Sequence, residues 1–94
     1  MTFCVYILYS VSKQKRYIGQ TSDIHVRLLK HNSGSNKSTK AGVPWQLLAT
    51  LVMINRSEAI AVERKLKNLK SSKKQDEFIL KNGFTMHEVI GPEK

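Results

Sequence analysis

Every position from Phe3 to Tyr9 (FCVYILY) is apolar or aromatic, with no polar alternate. Such a run predicts a central strand covered on both faces, with Val5, Ile7 and Tyr9 pointing one way and Cys4, Tyr6 and Leu8 the other. The polar stretch 10–14 (SVSKQ) predicts a turn, and 15–19 (KRYIG) a second strand closing a hairpin. Gly19 ends it where a side chain would crowd a backbone or a ligand. Residues 45–54 (WQLLATLVMI) read as a third strand after Pro44.

Between and after the strands the period changes to helical. Residues 22–32 predict a helix capped by Thr21 or Ser22, with Asp23 in its first turn. Ile24, Leu28 and Leu29 cluster on one side, and Arg27 and His31 lie together at the edge of that stripe. Residues 57–70 predict a second helix, capped either by Ser57 or by Asn55 with Glu58, and carrying Ala59, Val62, Leu66 and Leu69 inward. Ser72-Lys73-Lys74-Gln75 has the form of a capping box for a third helix over 73–82, stopped by Gly83. Residues 33–43 read as a basic mobile loop. Phe84, Met86, Val89 and Ile90 suit either a last short strand or a packed tail. The expected fold is α+β: a three-stranded, mainly antiparallel sheet flanked by three helices in the order β-β-α-β-α-α. The expected division is a domain over 1–83 and a C-terminal tail over 84–94.

Ninety-four residues suit a single core, and the chain is 40% hydrophobic. Sixteen Lys and Arg against seven Asp and Glu leave a net charge of +9. That excess favours a polyanionic partner, nucleic acid before anionic membrane. The one cysteine, Cys4, excludes an internal disulfide and a thiolate zinc cluster. No apolar run reaches the roughly 18 residues of a membrane span, and no signal segment is seen, so the cytoplasm is the expected compartment.

Cys4-Val5-Tyr6 and Tyr17-Ile18-Gly19 stand ten intervening residues apart, followed by Arg27-Leu28-Leu29-Lys30-His31-Asn32 and by Arg56-Ser57-Glu58-Ala59 leading to Glu63. In that order and at those distances, the set resembles the GIY-YIG endonuclease superfamily, specifically its small single-domain bacterial branch, over residues 3 to 75. The second half of the signature is complete; in the first, Cys4 stands where glycine would be. The resemblance implies Tyr6 as general base or positioner of the attacking water and Tyr17 as its support or a phosphate holder. It further implies Arg27 on the scissile phosphate, His31 within reach of the site, and Glu63 as ligand to one divalent cation, Mg²⁺ or Mn²⁺. Asn68 is a loose match to a polar residue that follows the metal ligand in many members. A separate DNA-binding domain, frequent in relatives, is not expected within these residues.

The chemistry suits those residue types. Phosphodiester hydrolysis needs an activated water and charge stabilisation on the phosphoryl oxygens. A cation that keeps most of its waters can be held by a single carboxylate, and a guanidinium fork matches two phosphate oxygens. A tyrosine with a pKa near 10 becomes a usable base only if Arg27, Lys15 or the cation lowers it. Lys15, Lys30, Lys37, Lys40 and Lys67, with Gly19, complete the expected substrate surface for DNA, or less favourably RNA. Tyr6, Tyr17, Arg27 and Glu63 are expected to converge on one basic groove. The same residues also have plainer readings: Tyr6 as a core aromatic, Glu63 and Lys67 as an i,i+4 ion pair, Cys4 as a small buried hydrophobe, His25 and His87 as surface. The alternative function is a nucleic-acid-binding module of the same fold that cleaves little.

Overall fold

The computed structural model describes residues 1–87. Four antiparallel strands form one sheet in the order β2-β1-β3-β4: β1 (Phe3–Ser10), β2 (Lys15–Thr21), β3 (Trp45–Met53) and β4 (Thr85–Met86). Three helices accompany them, α1 (Ile24–Asn32), α2 (Arg56–Asn68) and α3 (Ser72–Lys81). The fold is therefore α+β with three helices, as expected, but the sheet has a fourth strand. No helix among the described residues is long and apolar enough to cross a membrane.

β1, apolar from Phe3 to Tyr9, lies between β2 and β3 and is buried on both faces; Val5, Ile7 and Leu8 are 0% exposed. One face of the sheet packs Val5, Ile7, Ile18 and Ala49 against Ala59 and Leu66 of α2 and Ile79 of α3. The other packs Tyr6, Leu8 and Trp45 with Tyr17, Ile24 and Leu28 of α1. A bulge in β3 makes this division possible. The pairing runs Ile7 to Ala49, then Leu8 to Leu47, so Leu48 is an extra residue. The inserted residue changes the alternation, so Ala49 and Leu51 face α2 while Trp45 and Leu47 face α1.

The helix caps refine the sequence reading. Asp23 caps α1, accepting from the Val26 amide at 3.2 Å. Thr21, one of the two expected caps, ends β2 and instead holds the turn by accepting from the Asp23 amide. Asn55 caps α2 through the Glu58 amide at 2.9 Å. Ser71, not Ser72, caps α3, and the Gln75 carboxamide reaches the carbonyls of Leu66 and Leu69 rather than closing a capping box. Across the sheet edge, Arg16 donates to Asp76 at 2.8 Å and to Gln75 at 3.1 Å, tying β2 to α3.

The segment that follows Gly83 packs onto the sheet. Gly83, at φ 73°, turns the chain at the end of α3. The Phe84 amide then bonds Ile79 O and the Gly83 amide bonds Leu80 O, the paired closure favoured by a glycine in the left-handed region. This turn buries Phe84 in the core, edge-on to Phe78, and lays Thr85–Met86 beside β3. His87, read as a surface residue, bonds Thr50 Oγ1 through Nε2 at 2.8 Å, and its amide bonds Leu48 O. Val89 and Ile90 lie outside the described residues. Replacing Phe84 with Ala should destabilise the whole fold by about 3–5 kcal/mol. Urea unfolding checks this; a loss no greater than a surface substitution would show that the chain beyond α3 is dispensable.

Candidate functional site

Tyr6 reaches its place because Gly19 lies opposite it on β2. A Cβ on residue 19 would sit 2.6 Å from Tyr6 Oη and 2.8 Å from Cζ. The absent side chain lets the phenol lie across the neighbouring strand. Gly19 is thus buried beneath Tyr6 rather than offered to a substrate, which corrects its expected place on the binding surface.

The helical period of α1 turns His31 inward and leaves Arg27 exposed. His31 is 1% exposed. Its Nε2 lies 3.1 Å from Tyr6 Oη and its Nδ1 lies 2.9 Å from Thr39 Oγ1. Thr39 donates to Asn36 O at 3.4 Å, so its oxygen accepts from His31 Nδ1–H. That assignment leaves the Nε2 lone pair to accept the phenolic proton of Tyr6. The Trp45 indole donates to Thr39 O at 2.8 Å, and the Asn32 side chain brackets Trp45 by bonding both its amide and its carbonyl. Gly42 lies so close under the Trp45 ring that a Cβ there would overlap it. The loop over 33–43 therefore does more than connect. It contains a 3-10 turn, Lys40–Gly42, and delivers buried Thr39 to the histidine. Tyr17 packs edge-on to His31, with ring centroids 4.8 Å apart, and edge-on to Trp45 at 6.2 Å.

Electrostatics link the more distant members. Burial pushes the Tyr6 pKa well above its usual value, and the neighbouring Tyr17 adds to the rise. The Arg27 charge opposes this and the Glu63 charge reinforces it. The expected lowering by Arg27 is thus present but outweighed by desolvation. His31 is held below its ordinary 6.5, first by burial and then by the Arg27 charge. A protonated Tyr6 facing a neutral His31 agrees with the hydrogen-bond assignment.

Glu63, on α2, is 19% exposed and bonds Lys67 at 2.7 Å. Lys67 is thereby the carboxylate's partner. Glu63 and Asn68 line a shallow groove of about 290 Å³, with Arg64 and Ile60. Tyr17 and Trp45 line a different cleft of about 400 Å³, rimmed by Lys13, Lys15 and Arg16. The expected single groove is therefore two. Tyr6, Tyr17 and His31 are in contact, whereas Arg27 and Glu63 join them through charge. Lys30, Lys37 and Lys40 are exposed. Among the described residues, no three His, Cys, Asp or Glu side chains could together hold a metal ion. This donor set fits a hydrated divalent cation that takes one carboxylate, and does not fit a closed zinc site.

Sequence reasoning missed Thr39, Trp45 and Asn32 as parts of the site. Asn32 and Trp45 sit at element ends, and a polar or aromatic residue next to a Gly- and Ser-containing loop was the available signal.

The model of the GIY-YIG catalytic domain matches residues 2–76. The UPF0213 protein YsiG of Lactococcus lactis is 35% identical over 89 residues, covering 94% of this chain and 84% of that protein. A UPF0213 protein of Halalkalibacterium halodurans is 36% identical over 84 residues, 88% of each chain. The solution NMR structure of that same protein, BH0048, there named as from Bacillus halodurans, superposes with a TM-score of 0.53 at 36% identity, over 88% of each chain. These names specify no activity.

Gly19→Ala should cost about 1–3 kcal/mol through overpacking and should break the Tyr6–His31 bond. Thermal unfolding and the histidine ring NMR signals check both. Because His31 is harder to protonate folded than unfolded, the unfolded chain takes up more protons once the pH falls below 6.5. Stability is then full above that pH and declines on acidification until the folded-state value is reached. Urea midpoints measured from about pH 7.5 to about pH 5.5 should fall more steeply for wild type than for His31→Asn. Equal slopes would assign the acid sensitivity elsewhere.

Proposed function

The chain belongs to the GIY-YIG family, a nuclease-type superfamily, and from that premise we propose that it is a metal-dependent endonuclease acting on DNA ahead of RNA. One observation carries the proposal: the Tyr6 hydroxyl, at 3.1 Å, faces the free lone pair of a buried neutral histidine. A tyrosine with a raised pKa is a poor base alone. Bonded to His31, it can take a proton from water while passing its own to Nε2, so no free phenolate forms. Thr39 holds the histidine in the tautomer this transfer requires.

Tyr17 lines the basic cleft and packs over the histidine, which suits it to face a phosphate and to cover Tyr6 until substrate shifts it. Tyr6 itself is 1% exposed, so that shift is part of the reading. Arg27, exposed and acting electrostatically on Tyr6, is suited to pair two phosphoryl oxygens. Glu63 would hold the divalent cation, which when bound neutralises charge on the phosphate. Lys67 gives up its ion pair with Glu63 in that event and becomes available to the phosphate backbone.

A second reading has its own support. The Glu63–Lys67 pair and the upward shift of the Tyr6 pKa both suit a nucleic-acid-binding module that cleaves little. Nicking of supercoiled plasmid with Mg²⁺ or Mn²⁺ separates the two. Tyr6→Phe, Arg27→Ala and Glu63→Gln should each slow nicking by about 10²-fold or more. Wild-type rates for Glu63→Gln would end the nuclease reading. Salt-sensitive binding that ignores metal and survives Tyr6→Phe would establish the other.

A further inference from the structure

A larger cleft, of about 730 Å³, opens on the α2–α3 side of the sheet, away from the Tyr6–His31 pair. Tyr9 and Leu48 line it together with Lys15, Arg16 and Lys70. The volume lies in the ~300–1,000 Å³ range of small-ligand sites. Successive residues of a strand point to opposite faces. Lys15 and Arg16 accordingly straddle the edge of the sheet, and both line this cleft and the Tyr17–Trp45 cleft. The two depressions therefore share one basic ridge.

Charge and shape narrow the occupant. Arg16 is partly neutralised by Asp76, but among the described residues neither Lys15 nor Lys70 is in an ion pair. Two uncompensated ammonium groups with an aromatic and an aliphatic side chain match a phosphate linked to a planar base. A duplex cannot place a base face in such a cleft without unstacking it, whereas a single strand presents its bases freely. A free nucleotide would use one depression; a chain of nucleotides uses both and crosses the ridge between them.

We infer that the Tyr9 cleft binds a base and phosphate of a single-stranded nucleic-acid segment that continues over Lys15 and Arg16 from the Tyr17–Trp45 cleft. This deepens the proposed function by naming the substrate class as nucleic acid with an unpaired arm, and it rests on that reading only for what happens to the strand afterwards. Binding itself is separable from cleavage.

The test is fluorescence anisotropy in EDTA, with a labelled oligothymidylate of about ten nucleotides and a blunt duplex of equal length. In EDTA the nuclease reading plays no part, so either idea can fail alone. Tyr9→Ala should weaken oligothymidylate binding about tenfold, while Tyr9→Phe, which keeps the ring face, stays within about twofold of wild type. Lys70→Glu, a surface change, should also weaken the oligonucleotide more than the duplex. Circular dichroism verifies that each variant is folded; should Tyr9→Ala unfold, Lys70→Glu and Tyr9→Phe decide. Equal losses for single strand and duplex would overturn the inference, leaving only general attraction to phosphate. So would an unchanged affinity in Lys70→Glu, or competition by thymidine monophosphate as strong as by the oligonucleotide.

Discussion

The hydrogen bond between Tyr6 and His31 draws on several elements of this small molecule at once. The phenol needs a strand buried on both faces, a neighbour with no side chain at residue 19, and a helix phased to bring His31 inward. The imidazole in turn needs a loop that folds back to present Thr39, and that loop is fixed by the Trp45 indole and by Asn32. In water the bond would contribute little. Buried, it commits its partners, because leaving either group unpaired costs about 1–3 kcal/mol. One contact therefore gathers β1, β2, α1, the loop and β3 around a single proton.

Charge at the site is arranged in opposition rather than in concert. Burial resists ionisation of both rings in their charged forms, so Tyr6 keeps its proton and His31 remains without one. Arg27 and Glu63 then act on Tyr6 with contrary sign. The resting site holds a neutral pair whose tyrosine feels a cation and an anion of opposed effect, and an approaching phosphate or metal ion would alter that balance.

Much of this was legible in the chain. The apolar run 3–9 announces a central strand, and the helical periods announce three helices, because burial on one or both faces writes itself into residue order. The sequence resemblance singles out Tyr6, Tyr17, Arg27, His31 and Glu63 as one set. What stayed hidden depends on long-range geometry. Thr39 looks like one more polar loop residue until the loop closes on His31. The role of Gly19 could be read as closeness to a ligand as well as to Tyr6, since either explains a missing Cβ. The upward shift at Tyr6 lies beyond the sequence because charged neighbours are visible there and depth is not. A two-residue strand such as Thr85–Met86 has no period at all; only the turn at Gly83 and the burial of Phe84 bring it to the sheet.

The extra residue in β3 bears on what a single strand can pack against. On one side of Leu48 the strand's inward positions answer to α2; on the other they answer to the aromatic cluster. The helix-packed segment and the aromatic segment of one strand thus belong to different clusters. A single inserted residue lets one strand serve two cores of different composition.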